Sequence, residues 1–381
     1  MLAVLHLSAV ALKKVWCPSK NIVIRKPIEV AMTGVTDIST ATNPGTHPSA
    51  TASAQPLLDV RNLSLSFATA RGALAITRNV NFSIAPGERV GLVGESGCGK
   101  TVTGLSLLRL LPPQSARIEG KIIFNGVDMS SLSPWKLRAI RGREIAMIFQ
   151  EPMSALDPVF TVGDQIAEAY RIHFPVSRAE ARERAIQALR DVGIPAPERR
   201  CDEYPHQLSG GMRQRVMIAM ALICEPKLLI ADEPTTALDV TVQAQITDLL
   251  RSLSERTGTA LIFITHDLGV VAETCTRMIT MYAGEVVEDA PVDDALMRPR
   301  HPYTSGLLRS LPILSERRGV LASIPGRVPS PNAMPAGCRF RARCKHAAVG
   351  CEREQAMIET DKQRAARCWR APELELPGAV N

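Results

Sequence analysis

The 381-residue chain is long enough for one large domain with appendages, and its 45% hydrophobic and 22% charged residues are typical of a globular protein. No stretch approaches the roughly 20 uninterrupted apolar residues that span a bilayer, so the sequence excludes a membrane helix of its own. The net charge of +7 favours a solvated basic surface over a nucleic-acid or membrane-surface partner.

The first 55 residues are predicted to form a disordered extension. A short apolar run from Leu2 to Leu12 carries its lysines, Lys13 and Lys14, after the run, whereas a secretory signal carries them before it. The stretch from Thr33 to Gln55 is rich in Thr, Ser, Ala, Pro and Gly, which is the composition of a linker. Residues 1–55 are therefore excluded from the predicted fold.

The first ordered elements lead to a phosphate-binding loop. Alternating apolar residues predict strands at Leu57–Phe67 and Val80–Ile84, and the apolar run Arg89–Val93 follows. A glycine-rich segment then opens a predicted helix, Thr101–Leu111. Such a P-loop surrounds phosphate with backbone N–H groups, its lysine reaches the β- and γ-phosphates, and its hydroxyl binds Mg²⁺. A glycine-rich turn between a strand and a helix can also be purely structural, but the segment favours nucleotide binding by Gly94, Glu95, Ser96, Gly97, Cys98, Gly99, Lys100 and Thr101.

The middle of the chain alternates buried strands with helices. Apolar runs predict further strands at Lys121–Phe124, Ile145–Phe149, Leu228–Ala231 and Leu261–Thr265. This alternation indicates an α/β core with a mainly parallel sheet. The long helical periodicity between the second and third of these strands predicts a helical subdomain at about residues 151–225.

Two carboxylates, Asp232 and Glu233, follow the predicted strand that ends at Ala231. In a nucleotide-hydrolysing enzyme, the first of them can hold Mg²⁺ and the second can polarise the attacking water. Alone, such a pair would more often be a helix cap or a solvated turn. The P-loop upstream favours the catalytic interpretation.

Ser209, Gly210 and Gly211 open a predicted helix, Arg213–Cys224. A helix end of this kind binds anions, although a serine there is also an ordinary N-cap. Together with the P-loop and the two carboxylates, residues 208–214 resemble the signature motif of ATP-binding-cassette (ABC) proteins. The resemblance covers residues 57 to about 370. It implies that the signature motif of one ATPase subunit closes on nucleotide held by the P-loop of a second ATPase subunit.

The other elements of the family occur in the same order. Gln150 resembles the Q-loop glutamine that contacts Mg²⁺ and water, residues 237–239 resemble the D-loop with Asp239, and His266 matches the histidine that holds the γ-phosphate. Phe67 occupies the place of the aromatic residue that stacks on adenine, although it can equally be a core residue of its strand. The resemblance implies catalytic roles for Glu233, His266 and Gln150, and Mg²⁺ ligation by Thr101, Gln150 and Asp232.

Three segments, residues 94–100, 149–158 and 300–304, closely resemble ATPase subunits of bacterial dipeptide and oligopeptide importers, and importers of nickel and glutathione share much of this pattern. The resemblance implies an ATPase on the cytoplasmic face of the cell membrane. Its partners would be two transmembrane permease subunits and, through the assembled complex, an extracellular solute-binding protein. An ABC ATPase acting on nucleic acid is disfavoured because no long coiled coil follows the P-loop. A P-loop kinase for small molecules would not explain the signature motif.

Four cysteines cluster near the end of the chain: Cys338, Cys344, Cys351 and Cys368. In a reducing, ATP-containing compartment such a set more readily binds metal than forms disulfides. Four thiolates suit zinc or an iron–sulfur cluster. The resemblance to peptide importers favours a [4Fe-4S] cluster, with Zn²⁺ as the alternative and unligated thiols as a third. Neighbouring bases would partly offset the negative charge of a cluster, unless they only form a solvated loop: Arg339, Arg341, Arg343 and Lys345.

The predicted fold is therefore α/β: an ABC-type P-loop NTPase core with a mainly parallel sheet, an N-terminal antiparallel β subdomain, a helical subdomain and a small Cys-rich C-terminal extension. The predicted bounds are residues 1–55 for the disordered segment, 56–312 for the ABC ATPase domain and 313–381 for the C-terminal extension.

Overall fold

The computed structural model describes residues 55–379 except for residues 71, 152–154, 237, 311–323 and 362. The predicted disordered segment lies, apart from Gln55, outside the described residues. So do residues 152–154 of the segment that resembles peptide importers and residue 237 of the predicted D-loop.

The first sheet has four antiparallel strands in the order β2-β1-β4-β5. They are β1 (Leu58–Thr69), β2 (Gly72–Ile84), β4 (Ala116–Phe124) and β5 (Val127–Asp128). Apolar residues alternate along β1, so that one face of the sheet is buried and the other is polar. The predicted N-terminal antiparallel β subdomain is confirmed.

The second sheet has eight strands in the order β11-β12-β10-β9-β3-β8-β7-β6. Its parallel part comprises β3 (Arg89–Val93), β6 (Ile145–Ile148), β7 (Leu228–Asp232), β8 (Ala260–Thr265) and β9 (Arg277–Tyr282). Three antiparallel strands extend one side: β10 (Glu285–Pro291), β11 (Ile358–Asp361) and β12 (Arg364–Ala366). The sheet is mainly parallel at its centre, as predicted. Strands β11 and β12, which belong to the Cys-rich region (residues 338–368), continue it.

Ten helices are described, together with four short 3₁₀ turns at Met129–Ser131, Pro205–Gln207, Pro331–Ala333 and Arg341–Arg343. The helices are α1 (Lys100–Leu107), α2 (Pro134–Ile140), α3 (Val162–Arg171), α4 (Arg178–Asp191), α5 (Pro197–Arg200), α6 (Gly210–Leu222), α7 (Val240–Thr257), α8 (Leu268–Thr274), α9 (Val292–Met297) and α10 (Pro302–Arg309). None of these described helices combines the length and hydropathy needed to cross a membrane.

The parallel strands are apolar on both faces because each face covers a different core. In β7, Leu229 and Ala231 contribute to a core shared with α3, α4 and α6, which form the predicted helical subdomain. Leu228 and Ile230 point the other way, into a core shared with the four-stranded sheet. The central sheet therefore lies between the helical part and the first sheet.

A third, small core joins the Cys-rich region to the second sheet. Tyr282 and Val287 from the β9–β10 hairpin, Tyr303 of α10 and Phe340 are all buried in it. Cys338 and Cys344 pack against its margin. The Cys-rich region is thus anchored directly beside the end of β9.

Candidate functional site

The P-loop connects the end of β3 at Val93 to the start of α1 at Lys100. Gly94, Gly97 and Gly99 all have positive φ values, of 150°, 81° and 102°. A Cβ atom at Gly94 would lie 2.2 Å from the carbonyl oxygen of Met281, so only glycine fits where the loop passes the neighbouring strand. The sequence folds here into a tight turn whose N–H groups precede a helix N-terminus. Such a turn is a binding geometry for phosphate.

Lys100 lies inside this turn. Its side chain is buried, and its Nζ donates hydrogen bonds to the carbonyl oxygens of Gly94, at 2.7 Å, and Glu95, at 3.2 Å. The ammonium group is therefore held at the concave side of the loop, where it can attract phosphate oxygens.

Thr101 and Asp232 meet beside the loop. The Thr101 hydroxyl donates to Oδ1 of Asp232 at 3.1 Å, and Asp232 is only 2% exposed at the end of β7. Burial is the main cause that raises the pKa of Asp232 to about 6; the charge of Glu233 acts in the same direction, and the Thr101 hydrogen bond and Lys100 oppose it. A cation bound here would offset the cost of keeping this carboxylate ionised. The hydroxyl and the carboxylate are the hard oxygen ligands that Mg²⁺ prefers, so the residues fit this ion.

Glu233 is the centre of a second group of side chains. Its Oε2 accepts hydrogen bonds from Gln150 Nε2 at 3.1 Å and from the Thr236 hydroxyl at 2.9 Å, and its Oε1 lies 3.4 Å from His266 Nδ1. The residue has a φ of 44°, and its N–H donates to the carbonyl oxygen of Ile264. A left-handed conformation is uncommon for glutamate and is found at functional sites where the surrounding structure enforces it.

Strand order explains why these side chains meet. β6, β7 and β8 are adjacent and parallel, and Gln150, Glu233 and His266 follow their carboxyl ends. Parallel strands end at one edge of a sheet, which is where α/β proteins bind ligands. The structure therefore brings together the three residues that were predicted to be catalytic. A carboxylate held beside a glutamine and a largely exposed histidine can accept a proton from water.

The signature residues lie at a different helix N-terminus. Ser209 is the N-cap of α6, and its Oγ accepts a hydrogen bond from the N–H of Met212 at 3.3 Å. A Cβ atom at Gly211 would lie 2.9 Å from a methyl carbon of Val242 in α7, which Asp239 caps through the N–H of Val242 at 2.9 Å. Among the described residues, the side chains of Ser209 and Asp239 form hydrogen bonds only within their own caps. The structure does not join them to the P-loop of the same chain.

Phe67 lies in β1, where its register partners are Leu74 and Ala116. It is partly buried and packs against the core between the two sheets. This placement agrees with the core interpretation, and its stacking on adenine stays a prediction.

Two residues that hold the P-loop were not predicted as site residues. The hydroxyl of Tyr303 accepts a hydrogen bond from the N–H of Glu95 at 2.8 Å, and Arg343 forms an ion pair with the Glu95 carboxylate. Tyr303 belongs to residues 300–304, which resemble peptide-importer ATPases, so the sequence contained a signal for it. The solvated-loop alternative is wrong for Arg339 and Arg343: both are buried, and Arg339 pairs with Glu285 at 3.3 Å.

The four clustered cysteines are gathered in one region with free thiols. The N–H of Cys338 donates to the carbonyl oxygen of Cys351 at 2.9 Å. Burial is the main cause that raises the pKa of Cys338 to about 11; a hydrogen bond from the backbone of Phe340 opposes it, and the neighbouring Cys351, Cys344 and Cys368 contribute to the rise. Within the described part of the chain, however, no group of three or more His, Cys, Asp or Glu side chains is arranged to hold a metal ion. The thiols are thus neighbours that do not converge on one ion.

Comparison with known sequences agrees with this geometry. The sequence model of a family described as ABC transporter matches residues 77–236, and that of a family described as oligopeptide/dipeptide transporter, C-terminal region, matches residues 287–351. A probable peptide ABC transporter ATP-binding protein of Sinorhizobium fredii is 55% identical over 323 residues, which are 84% of this chain and 96% of the relative. A putative peptide import ATP-binding protein of Brucella abortus is 51% identical over 313 residues, which are 82% and 94% of the two chains.

Solved structures show the same similarity. An ATP-binding cassette, determined as a dimer in a post-hydrolysis state with bound ADP and phosphate, is 30% identical with a TM-score of 0.56, covering 62% of this chain and 98% of the cassette. A Clostridium perfringens protein described as part of an ABC transporter complex is 28% identical with a TM-score of 0.53, covering 63% and 90% of the two chains.

Proposed function

The chain belongs to the ABC transporter family of ATP-binding proteins, and from this premise we propose that it is the ATP-hydrolysing subunit of a bacterial importer of di- or oligopeptides. The observation that carries the peptide assignment is the match of residues 287–351 to the C-terminal region of oligopeptide/dipeptide transporters. Relatives named as peptide transport proteins, which are about half identical over most of the chain, support it. Importers of nickel or glutathione are the less favoured alternative, and the nucleic-acid class is not supported.

We infer a role in hydrolysis for each group of the site. Lys100 neutralises phosphate oxygens, and Thr101 and Asp232, with Gln150, would hold Mg²⁺, which neutralises charge on the β- and γ-phosphates when ATP is bound. Glu233 orients water and accepts its proton, because its carboxylate is fixed by Gln150 and Thr236 on one oxygen. His266, whose side chain is 66% exposed, is free to contact the γ-phosphate.

We propose that a second ATPase subunit, identical or homologous, completes each nucleotide site. Ser209, Gly210 and Gly211 would contact nucleotide held by the P-loop of that subunit, with Asp239 at the same interface. Support comes from the side chains of Ser209 and Asp239, which form hydrogen bonds only within their own helix caps. The N-terminal end of α6, which is the positive end of the helix dipole, can therefore bind phosphate from a second subunit. The similar cassette that was solved as a dimer agrees with this arrangement.

The helical subdomain, proposed to span about residues 151–225, would bind a membrane permease subunit at the cytoplasmic face of the membrane, in a complex that contains two permease subunits. Val159 and Phe160, which precede α3, are 69% and 49% exposed, and apolar side chains exposed together mark interaction surfaces. Gln150 leads into this subdomain and also contacts Glu233, so it connects the permease side to the catalytic carboxylate. An extracellular solute-binding protein would deliver peptide to the assembled complex.

Solute uptake tests the proposed substrate. In cells that lack this chain, uptake of labelled di- and oligopeptides is expected to be lost, while uptake of nickel and glutathione is retained. Wild-type protein restores the peptide uptake, whereas Lys100→Ala does not, because the ammonium that attracts phosphate is gone. Unchanged peptide uptake together with lost nickel or glutathione uptake would assign the chain to the alternative importers.

We also propose that residues 313–381 form an extension of the ABC ATPase domain, residues 56–312, and that its four cysteines ligate one [4Fe-4S] cluster. In such a cluster each thiolate binds a different iron, so four neighbouring thiols need not converge on one point as they must around a single zinc ion. The effect of Cys351, Cys344 and Cys368 on the pKa of Cys338 supports the proximity of the four thiols. The nearby Arg370 would partly offset the cluster's charge.

Metal content tests the cluster. Protein purified without oxygen is expected to be brown and to contain about four iron atoms per chain, the number that this cluster requires. Replacing Cys338, Cys344, Cys351 or Cys368 with Ser should remove the iron and speed proteolysis of the extension, whereas Cys224→Ser, outside the group, should change neither. Colourless protein with one zinc ion per chain would show that the four cysteines bind zinc and not an iron–sulfur cluster. Protein without metal would show that the four cysteines bind neither.

A further inference from the structure

The P-loop residue Glu95 is held from three sides. Its N–H donates to the hydroxyl of Tyr303 at 2.8 Å, and its carbonyl oxygen accepts from Lys100 Nζ at 3.2 Å. Both carboxylate oxygens accept from Arg343, with Nη1 at 2.7 Å from Oε2 and Nη2 at 2.9 Å from Oε1. A bidentate pair of this kind fixes both the direction and the charge of a carboxylate.

Arg343 belongs to the Cys-rich region and is itself held rigidly. Its side chain is 6% exposed, and its Nε donates to the carbonyl oxygen of Pro325 at 2.9 Å. The backbone N–H of Arg343 donates to the carbonyl oxygen of Phe340 at 2.9 Å. Because burial and the bond to Pro325 order the long side chain in advance, little further rotamer freedom is lost when it binds Glu95.

An aromatic cluster fastens this segment beside the nucleotide site. The ring of Phe340 lies edge-on to those of Tyr282 and Tyr303, with centroids 5.1 Å and 5.3 Å away, and the two tyrosine rings are 4.6 Å apart. Phe340 stands two residues after Cys338, and Arg343 directly precedes Cys344. Tyr303 thus contacts both the P-loop and the segment that carries Arg343.

We propose that Arg343 is a positioning residue of the nucleotide site, through which the cysteine-bearing segment of the C-terminal extension fixes the conformation of Glu95 and neutralises its charge. Glu95 stands between two glycines, Gly94 and Gly97, that leave the loop backbone free when nothing holds it. An unpaired carboxylate at this position would also repel the phosphates that the loop is built to bind. Nucleotide affinity therefore depends on a contact that the extension supplies.

Replacement of Arg343 is expected to weaken nucleotide binding and to leave the turnover number nearly unchanged. Arg343→Ala in the full-length chain is expected to weaken the affinity for both ATP and ADP by about tenfold, because both carry the β-phosphate that the loop surrounds. The turnover number of the assembled complex at saturating ATP should stay within about twofold, since Arg343 contacts none of Gln150, Glu233 and His266. Arg343→Lys keeps the charge but loses the bidentate geometry, so its nucleotide affinity should lie between that of the wild type and that of Arg343→Ala.

A double-mutant cycle shows whether Arg343 acts through Glu95. In a Glu95→Gln background, Arg343→Ala should change the affinity for ATP and ADP by less than about threefold, because the carboxylate that it holds is already gone. Arg341→Ala, an exposed arginine in the same turn, is the matched control and should bind nucleotide as the wild type does.

Two results would overturn the proposal. One is wild-type affinity of Arg343→Ala for both nucleotides. The other is an equal loss in the presence and absence of the Glu95 carboxylate, which would mean that the substitution acts by unfolding the extension and not through Glu95. Thermal unfolding without nucleotide, recorded for each variant, identifies that second case directly.

Discussion

Glu233→Gln is expected to lower steady-state ATP hydrolysis by about 10²-fold or more while ATP binding is retained. General-base catalysis contributes about 10²- to 10⁴-fold, and the amide cannot accept the proton of the attacking water. Gln150 and Thr236 both donate to Oε2 of Glu233, and an amide oxygen can still accept these bonds. The substitution therefore removes the base and leaves the P-loop, Lys100 and the Mg²⁺ ligands in place.

The measurement is phosphate release by the complex with its permease partners, together with nucleotide affinity in the isolated chain. Glu183→Gln in α4 is the matched control, because it makes the same chemical change at an exposed helix position and should hydrolyse ATP normally. Near-normal turnover of Glu233→Gln would show that another group serves as the base.

Ser209→Arg is expected to suppress ATP hydrolysis by the assembled complex to a similar extent, while the nucleotide affinity of the isolated chain is nearly unchanged. Ser209 caps α6, and within the described part of the chain its side chain forms no hydrogen bond with the P-loop. A bulky cation at this helix end would block closure of a second subunit on the nucleotide and would also oppose the positive end of the helix dipole.

Ser209→Arg removes the N-cap of α6 as well as the proposed subunit contact, and a control variant must separate these two effects. Ser177 caps α4 in the same way, accepting from the N–H of Glu180 at 3.1 Å, so Ser177→Arg loses a similar capping energy, about 1 kcal/mol, away from the signature motif. This control should keep its ATPase activity. If Ser209→Arg weakened nucleotide binding by the isolated chain as strongly as it lowered turnover, the motif would act on its own P-loop.

The nucleotide site could be predicted in detail because each of its elements has a local signature. Lys100 follows a glycine-rich turn, and Gln150, Glu233 and His266 each follow a short apolar strand. A mainly parallel sheet predicts that the last three lie at one edge, and the strand order β8-β7-β6 found in the structure makes them neighbours.

The contacts of the Cys-rich region could not be predicted in the same way. Strands β11 and β12 are only four and three residues long, and their sequences do not alternate between apolar and polar residues. The pairing of β12 with β10 and of β11 with β12 is therefore a tertiary effect. The partners Glu95 and Arg343 are 248 positions apart. Nothing in a segment with several arginines shows which of them will be buried. The sequence suggested charge balance with the cysteines, whereas the structure pairs Arg343 with the P-loop.

The composite nucleotide site is tested most directly by the mass of the Glu233→Gln protein, prepared with the second ATPase subunit of its complex, in MgATP. The account predicts a stable dimer of ATPase subunits that retains ATP, and dissociation of this dimer when Ser209→Arg is added to the same chain. A Glu233→Gln protein that binds ATP but remains monomeric would contradict the account. So would a dimer whose mass in MgATP is unchanged when Ser209→Arg is added.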